Sequence, residues 1–182
     1  DVTKVYFEDE LTPLGFIPGT TGEVFSNKQI NVSYVDVTAG ILYNGTTNGY
    51  NNFYIGASMY HINRPKESFQ GGEFLLNPRT TIQAGGRLPI GSYNDLHFSG
   101  IHSMQAKAYN TVVGGAFSYN VNQNEDNPTN VYIGSWYRFN DAVIPYIGLE
   151  FGGLHIGATY DANTSSLKPA TNVRGGMEIS LI

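Results

Sequence analysis

Val173-Arg174-Gly175-Gly176-Met177-Glu178-Ile179-Ser180-Leu181 carries the pattern that decides the fold. Val173, Met177, Ile179 and Leu181 fall on one parity, and Arg174, Gly176, Glu178 and Ser180 on the other. A period of two belongs to a β-strand whose faces meet different surroundings. The pattern recurs along the chain. Phe53, Ile55, Ala57 and Met59 oppose Tyr54, Gly56, Ser58 and Tyr60. Val131, Ile133, Tyr137 and Phe139 oppose Tyr132, Gly134, Trp136 and Arg138. Val143, Pro145, Ile147 and Leu149 oppose Ile144, Tyr146, Gly148 and Glu150. Leu154, Ile156, Ala158 and Tyr160 oppose His155, Gly157 and Thr159.

The alternation predicts nine strands, at 32–44, 50–62, 79–89, 96–107, 111–121, 130–139, 142–150, 153–160 and 171–182. Soluble strands average roughly 5–6 residues, whereas a tilted strand needs about 9–11 to cross a bilayer. The expected fold is therefore all-β: an antiparallel transmembrane β-barrel of the outer-membrane type, with about 9–10 strands in a single domain over 1–182. Residues 1–8 read as the end of a further strand, so the chain is expected to be part of a longer barrel.

Composition narrows the class. No apolar run approaches the roughly 20 residues of a membrane helix, which excludes a helical membrane protein. A net charge of -5 gives no nucleic-acid surface. With 13 tyrosines, 10 phenylalanines and only 14% charged residues, long aromatic strands suit lipid better than water. Cysteine is absent, which removes disulfide scaffolds, thiolate metal sites and cysteine nucleophiles.

Turn chemistry separates the strands at Asn44-Gly45 with Asn48-Gly49, at 91–95, 122–128, Asn140-Asp141 and Gly152-Gly153. If the last strand ends on the periplasmic side, connections 9–31, 63–78, 108–110, 140–141 and 161–170 lie outside. The three longest share that side, as in outer-membrane barrels. Phe16, Arg64, Phe69 and Ser166 in these loops are the candidate partner-binding residues. Pro145 lacks an N–H and marks a bulge or strand end.

Asp36, Arg87, Arg138, Glu150, Arg174 and Glu178 all take the glycine-bearing parity, and Trp136 joins them. In a barrel this is the lumen face, because Arg or Lys facing mid-bilayer lipid costs ~2–4 kcal/mol. Glu150 and Glu178 read as lumen partners of Arg138 and Arg174 rather than as a catalytic pair. The stretch 96–107 fits worst, since His102 shares a face with Phe98 and Met104. His97 and His102 lie on opposite faces and cannot share a metal. No HExxH, GxSxG or phosphate-loop motif occurs, so no catalytic, cofactor or metal residues are expected. Tyr43, Phe53, Tyr119, Phe139, Phe151 and Tyr160, near strand ends, suit the aromatic girdles of a membrane barrel; otherwise they would rim a soluble sandwich.

Three stretches carry a family resemblance. They are Tyr50-Asn51-Asn52-Phe53-Tyr54-Ile55-Gly56-Ala57-Ser58 running into Tyr60-His61-Ile62-Asn63-Arg64-Pro65, then 136–148, then Gly157-Ala158-Thr159-Tyr160-Asp161 with Thr164-Ser165-Ser166-Leu167. With the closing 175–181, they resemble the PorP/SprF family of type IX secretion system membrane proteins. The resemblance implies a Bacteroidota outer-membrane barrel of the secretion and gliding machinery, without enzymatic activity. Its partners would be outer-membrane lipid, other secretion-system subunits and a secreted adhesin or other cargo. It also implies a longer N-terminus, making this chain the C-terminal portion. The alternatives are a passive outer-membrane channel or small-solute transporter, and a soluble extracellular β-sandwich that binds a partner.

Overall fold

Side chains that alternate over this length need a sheet with two unlike faces, and the chain builds one. The computed structural model describes residues 8–13, 15–17, 22, 33–67, 74–124, 127–165 and 175–182. They group into two units, Asp1–Val35 with Pro65–Leu76, and Asp36–Arg64 with Asn77–Ile182. In the first, a 3-10 turn at Glu8–Glu10 leads into β1 (Leu11–Thr12) paired with β2 (Gly15–Phe16), and Lys66 bridges Leu75.

The second unit is a ten-stranded antiparallel sheet. Its strands are β3 (Ala39–Thr47), β4 (Asn51–Tyr60), β5 (Arg79–Ile90), β6 (Asn94–Gln105), β7 (Ala108–Asn120), β8 (Thr129–Arg138), β9 (Ala142–Phe151), β10 (Leu154–Tyr160), β11 (Ala162–Asn163) and β12 (Met177–Leu181). Each long strand pairs with its neighbour in sequence, from β3 to β10, and β12 follows β10. Among the described residues β3 and β12 are open edges, so the sheet is an unclosed part of a barrel.

The two faces differ sharply in charge. Arg79, Arg87, Asp95, Arg138, Glu150 and Glu178 are all the Asp, Glu, Lys and Arg residues in β3–β12. The register puts every one of them on the same face. The opposite face is apolar and open, with Ile41 77%, Ile133 67%, Ile147 61% and Ile179 71% exposed. Buried apolar side chains are few: Ala116 and Ala142 are the fully buried ones among the described residues. A soluble sheet this large would bury one face against a second layer.

Several boundaries differ from expectation. The first strand is not 32–44 but Ala39–Thr47, because Asn44-Gly45 lies in the ladder opposite Tyr54 and Phe53. The turn is Asn48-Gly49, with φ of 56° and 74° and a Tyr50 N–H to Thr47 C=O bond of 3.3 Å. Thr47 pairs with Asn51, so Tyr50 completes a three-residue connection around these two left-handed positions. Expected at 108–110, the β6–β7 turn is Ala106-Lys107, also left-handed at 48° and 72°. Pro145 makes no bulge: it stays in register with Ser135 of β8. It does break the other ladder, since β10 pairs β9 as far as Thr159↔Tyr146 and β11 resumes at Ala162↔Val143. A missing N–H on that side accounts for the gap. His102 does point to the apolar face, where its Nδ1 is bonded to Thr111 Oγ1 at 2.7 Å.

A side chain in the left-handed region costs roughly 1–2 kcal/mol. Lys107→Gly should therefore raise stability by about 0.5–1 kcal/mol after its own entropy cost. Urea unfolding followed by β-sheet circular dichroism checks this, and a loss of stability would place the turn elsewhere.

Candidate functional site

The charged face is the candidate site, and its geometry follows from rows of residues that cross the strands. In one row Tyr54, Gly85, Ser99, Gly114 and Trp136 stand opposite one another on β4 to β8. The next row towards the 48–50 and 91–93 turns is Asn52, Arg87, His97, Ala116, Gly134 and Tyr146. Large side chains lie down over glycines of the neighbouring strand. A methyl group on Gly85 would sit 2.6 Å from the Tyr54 oxygen, and one on Gly114 2.6 Å from Trp136 Cγ. The glycines are thus sockets for rings.

Trp136 reaches across β7 and donates from Nε1 to Ser99 Oγ at 2.8 Å. Its ring meets Tyr146 edge-on at 5.8 Å. Tyr146 Oη and His155 Nε2 are 2.7 Å apart, and His155 stacks on Tyr132 at 4.8 Å. Tyr132 donates to Glu150 Oε2 at 2.5 Å, and Asn130 Nδ2 donates to the same oxygen at 2.9 Å. Arg87 Nε donates to Asp95 Oδ1 at 2.8 Å. The middle of the face is therefore a hydrogen-bonded aromatic network with one carboxylate satisfied by neutral donors.

Near the other strand ends, Arg138 Nη1 holds Asp141 Oδ2 at 3.0 Å and Asp161 Oδ2 at 2.9 Å. The Asp141 carbonyl accepts the Thr164 and Ser165 N–H groups, so this clamp ties the β8–β9 turn to the segment after β10. His61 Nδ1 meets Asp36 Oδ2 at 2.7 Å, and Asn63 Oδ1 accepts the Val37 N–H at 3.0 Å.

Of the lumen-face residues singled out in the sequence, Arg87, Trp136, Arg138, Glu150 and Glu178 stand on this face, and Asp36 precedes β3. Arg174 lies outside the described residues, as do Phe69 and Ser166. Phe16 belongs to β2, and Arg64 is exposed after β4 with φ 46°. The expected pairing of Glu150 with Arg138 does not form. Arg138 opposes Ala142 while Glu150 opposes Asn130, so they occupy opposite ends of the β8–β9 pair. The sequence placed His155 on this face without a partner, and it did not single out Asn130 or His97, whose ring tilts against Tyr132 at 5.8 Å. Their shared parity with Arg87 and Glu150 was the available signal.

The match that decides the identity covers almost the whole chain. Residues 5–182 fit the family described as type IX secretion system membrane protein PorP/SprF. The chain belongs to the PorP/SprF family. No curated protein matches it. PorP/SprF proteins are secretion-system membrane components, so the other subunits of that system are its partners.

Gly114→Val would drive a branched side chain into Trp136. Overpacking of this kind costs about 1–3 kcal/mol. The variant should lose the Trp136–Ser99 bond and show red-shifted emission from Trp136, the only tryptophan in the chain. Unchanged emission would mean the indole does not lie over Gly114.

Proposed function

We propose that this PorP/SprF protein is a non-enzymatic outer-membrane barrel that exports a surface protein cargo or anchors it at the cell surface. The observation that carries the reading is the complete separation of charge: one sheet face holds every Asp, Glu, Lys and Arg of the strands, the other none. Lipid outside and water inside impose that separation. Tyr43, Phe53, Tyr119, Phe139, Phe151 and Tyr160 are all exposed on the uncharged parity, as girdle residues would be. The family supplies the machine in which such a barrel works.

The charged face supports binding rather than bond chemistry. Among the described residues, His155 is bonded to Tyr146 and Glu150 to Tyr132 and Asn130, and no nucleophile–base pair stands beside an oxyanion donor. Recruitment falls to the long connections 9–31, 63–78 and 161–170. Tyr54, Tyr132 and Trp136 on that face favour this role over a passive channel, whose lumen such rings would narrow.

Two tests follow. Ile147→Arg puts a cation on the uncharged face and should cost ~2–4 kcal/mol of folding free energy in lipid vesicles, whereas Thr159→Arg, on the other face, should cost far less. Equal costs would remove the membrane reading. Replacing 63–78 by a short turn should abolish cargo display in cells while the barrel still inserts; normal display would remove that loop from recruitment.

A further inference from the structure

The charged face contains a feature that neither export nor the aromatic network explains. Between β3 and β8 a cleft of about 600 Å³ opens on it, and its walls include Asn52, Tyr54, Arg87, His97, Ser99 and Trp136. Its size falls within the roughly 300–1,000 Å³ of small-molecule sites. We propose that this cleft binds a saccharide, of about the size of a disaccharide, through ring stacking on Tyr54 and Trp136 and hydroxyl bonding to Asn52, Arg87 and His97.

Three observations carry this. The first is the floor. Tyr54 and Trp136 stand in one row and lie down over Gly85 and Gly114 of the strands beside them. The indole N–H is already satisfied by Ser99, which fixes the ring in its plane. Two anchored rings present flat apolar surfaces, and the C–H faces of a pyranose ring match them. The second is the wall. The adjacent row supplies an amide, a guanidinium and an imidazole side by side, Asn52, Arg87 and His97. Together they offer donors and acceptors at the height where hydroxyls of a stacked sugar project. Arg87 is fixed through Nε by Asp95, and its side chain is still 49% exposed. The third is an unmet bond: His97 Nε2 is buried and has no hydrogen-bond partner among the described residues. A buried polar atom without a partner is costly, which favours a tilt of the ring that brings Nε2 to the cleft, where a ligand hydroxyl, which both donates and accepts, satisfies it in either tautomer.

A peptide is a poorer fit. Extended peptides bind through main-chain ladders at a sheet edge, whereas this cleft lies on the sheet face. The inference concerns the site alone and does not depend on what the protein exports.

Trp136 is both part of the floor and the only tryptophan, so its emission reads the site directly. The full chain, in a detergent without a sugar headgroup, is titrated with cellobiose, maltose, N,N′-diacetylchitobiose and, as a control, trialanine. The expected result is a saturable change in emission with at least one disaccharide and none with trialanine. Asn52→Ala and Arg87→Gln, which keep the tryptophan, should each weaken that binding about tenfold with unchanged circular dichroism. No saturable response to any disaccharide overturns the proposal, as does a response to trialanine alone. Undiminished binding in both variants also overturns it, because the sugar would then sit elsewhere.

Discussion

Everything in this sheet depends on carrying the backbone ladder from β3 to β12, with a gap where Pro145 faces β10. In hydrocarbon no water replaces a missing N–H···O=C bond, so a spanning sheet must satisfy its main chain internally. Continuous pairing fixes side-chain direction at every residue, because each step of one residue reverses the face. The absence of charge from one face of β3–β12 is the record of that constraint in the sequence. The ladder also dictates how a closed barrel can form. Both edge strands, β3 and β12, run in the same direction, since eight antiparallel steps separate them. An antiparallel barrel built on this sheet therefore has an odd number of further strands between β12 and β3.

Strand existence and face were legible because they follow from parity alone. Boundaries were less so, for reasons that are local. Asn44-Gly45 has the composition of a turn, but Gly45 is there to make room for the Phe53 ring, and the turn belongs to Asn48-Gly49. Ala106-Lys107 turns without glycine or asparagine, so no local signal marked it. Pro145 was a readable disruption, yet which of its two ladders would break depended on where its missing N–H pointed.

The candidate site was legible as a set of residues and not as a set of bonds. Parity brought Arg87, Trp136, Arg138 and Glu150 to one face, but partner choice depends on position along the strand. Charge balance suggested Arg138 with Glu150. Register instead gave Glu150 to Tyr132 and Asn130, and Arg138 to two aspartates near the turns. Trp136 needed Gly114 and Ser99, which lie on two other strands, and no local window contains all three.

The central claim is that the two faces of the sheet meet lipid and water. The chain contains no cysteine, so single cysteines can be introduced one at a time from 131 to 138 without background. The decisive measurement is nitroxide accessibility at each position in lipid vesicles, to oxygen from the bilayer and to a water-soluble nickel complex. The account predicts strict alternation, with 131, 133, 135 and 137 accessible to oxygen and 132, 134, 136 and 138 to nickel or to neither. Nickel access at both parities would contradict it and would make this a soluble sheet.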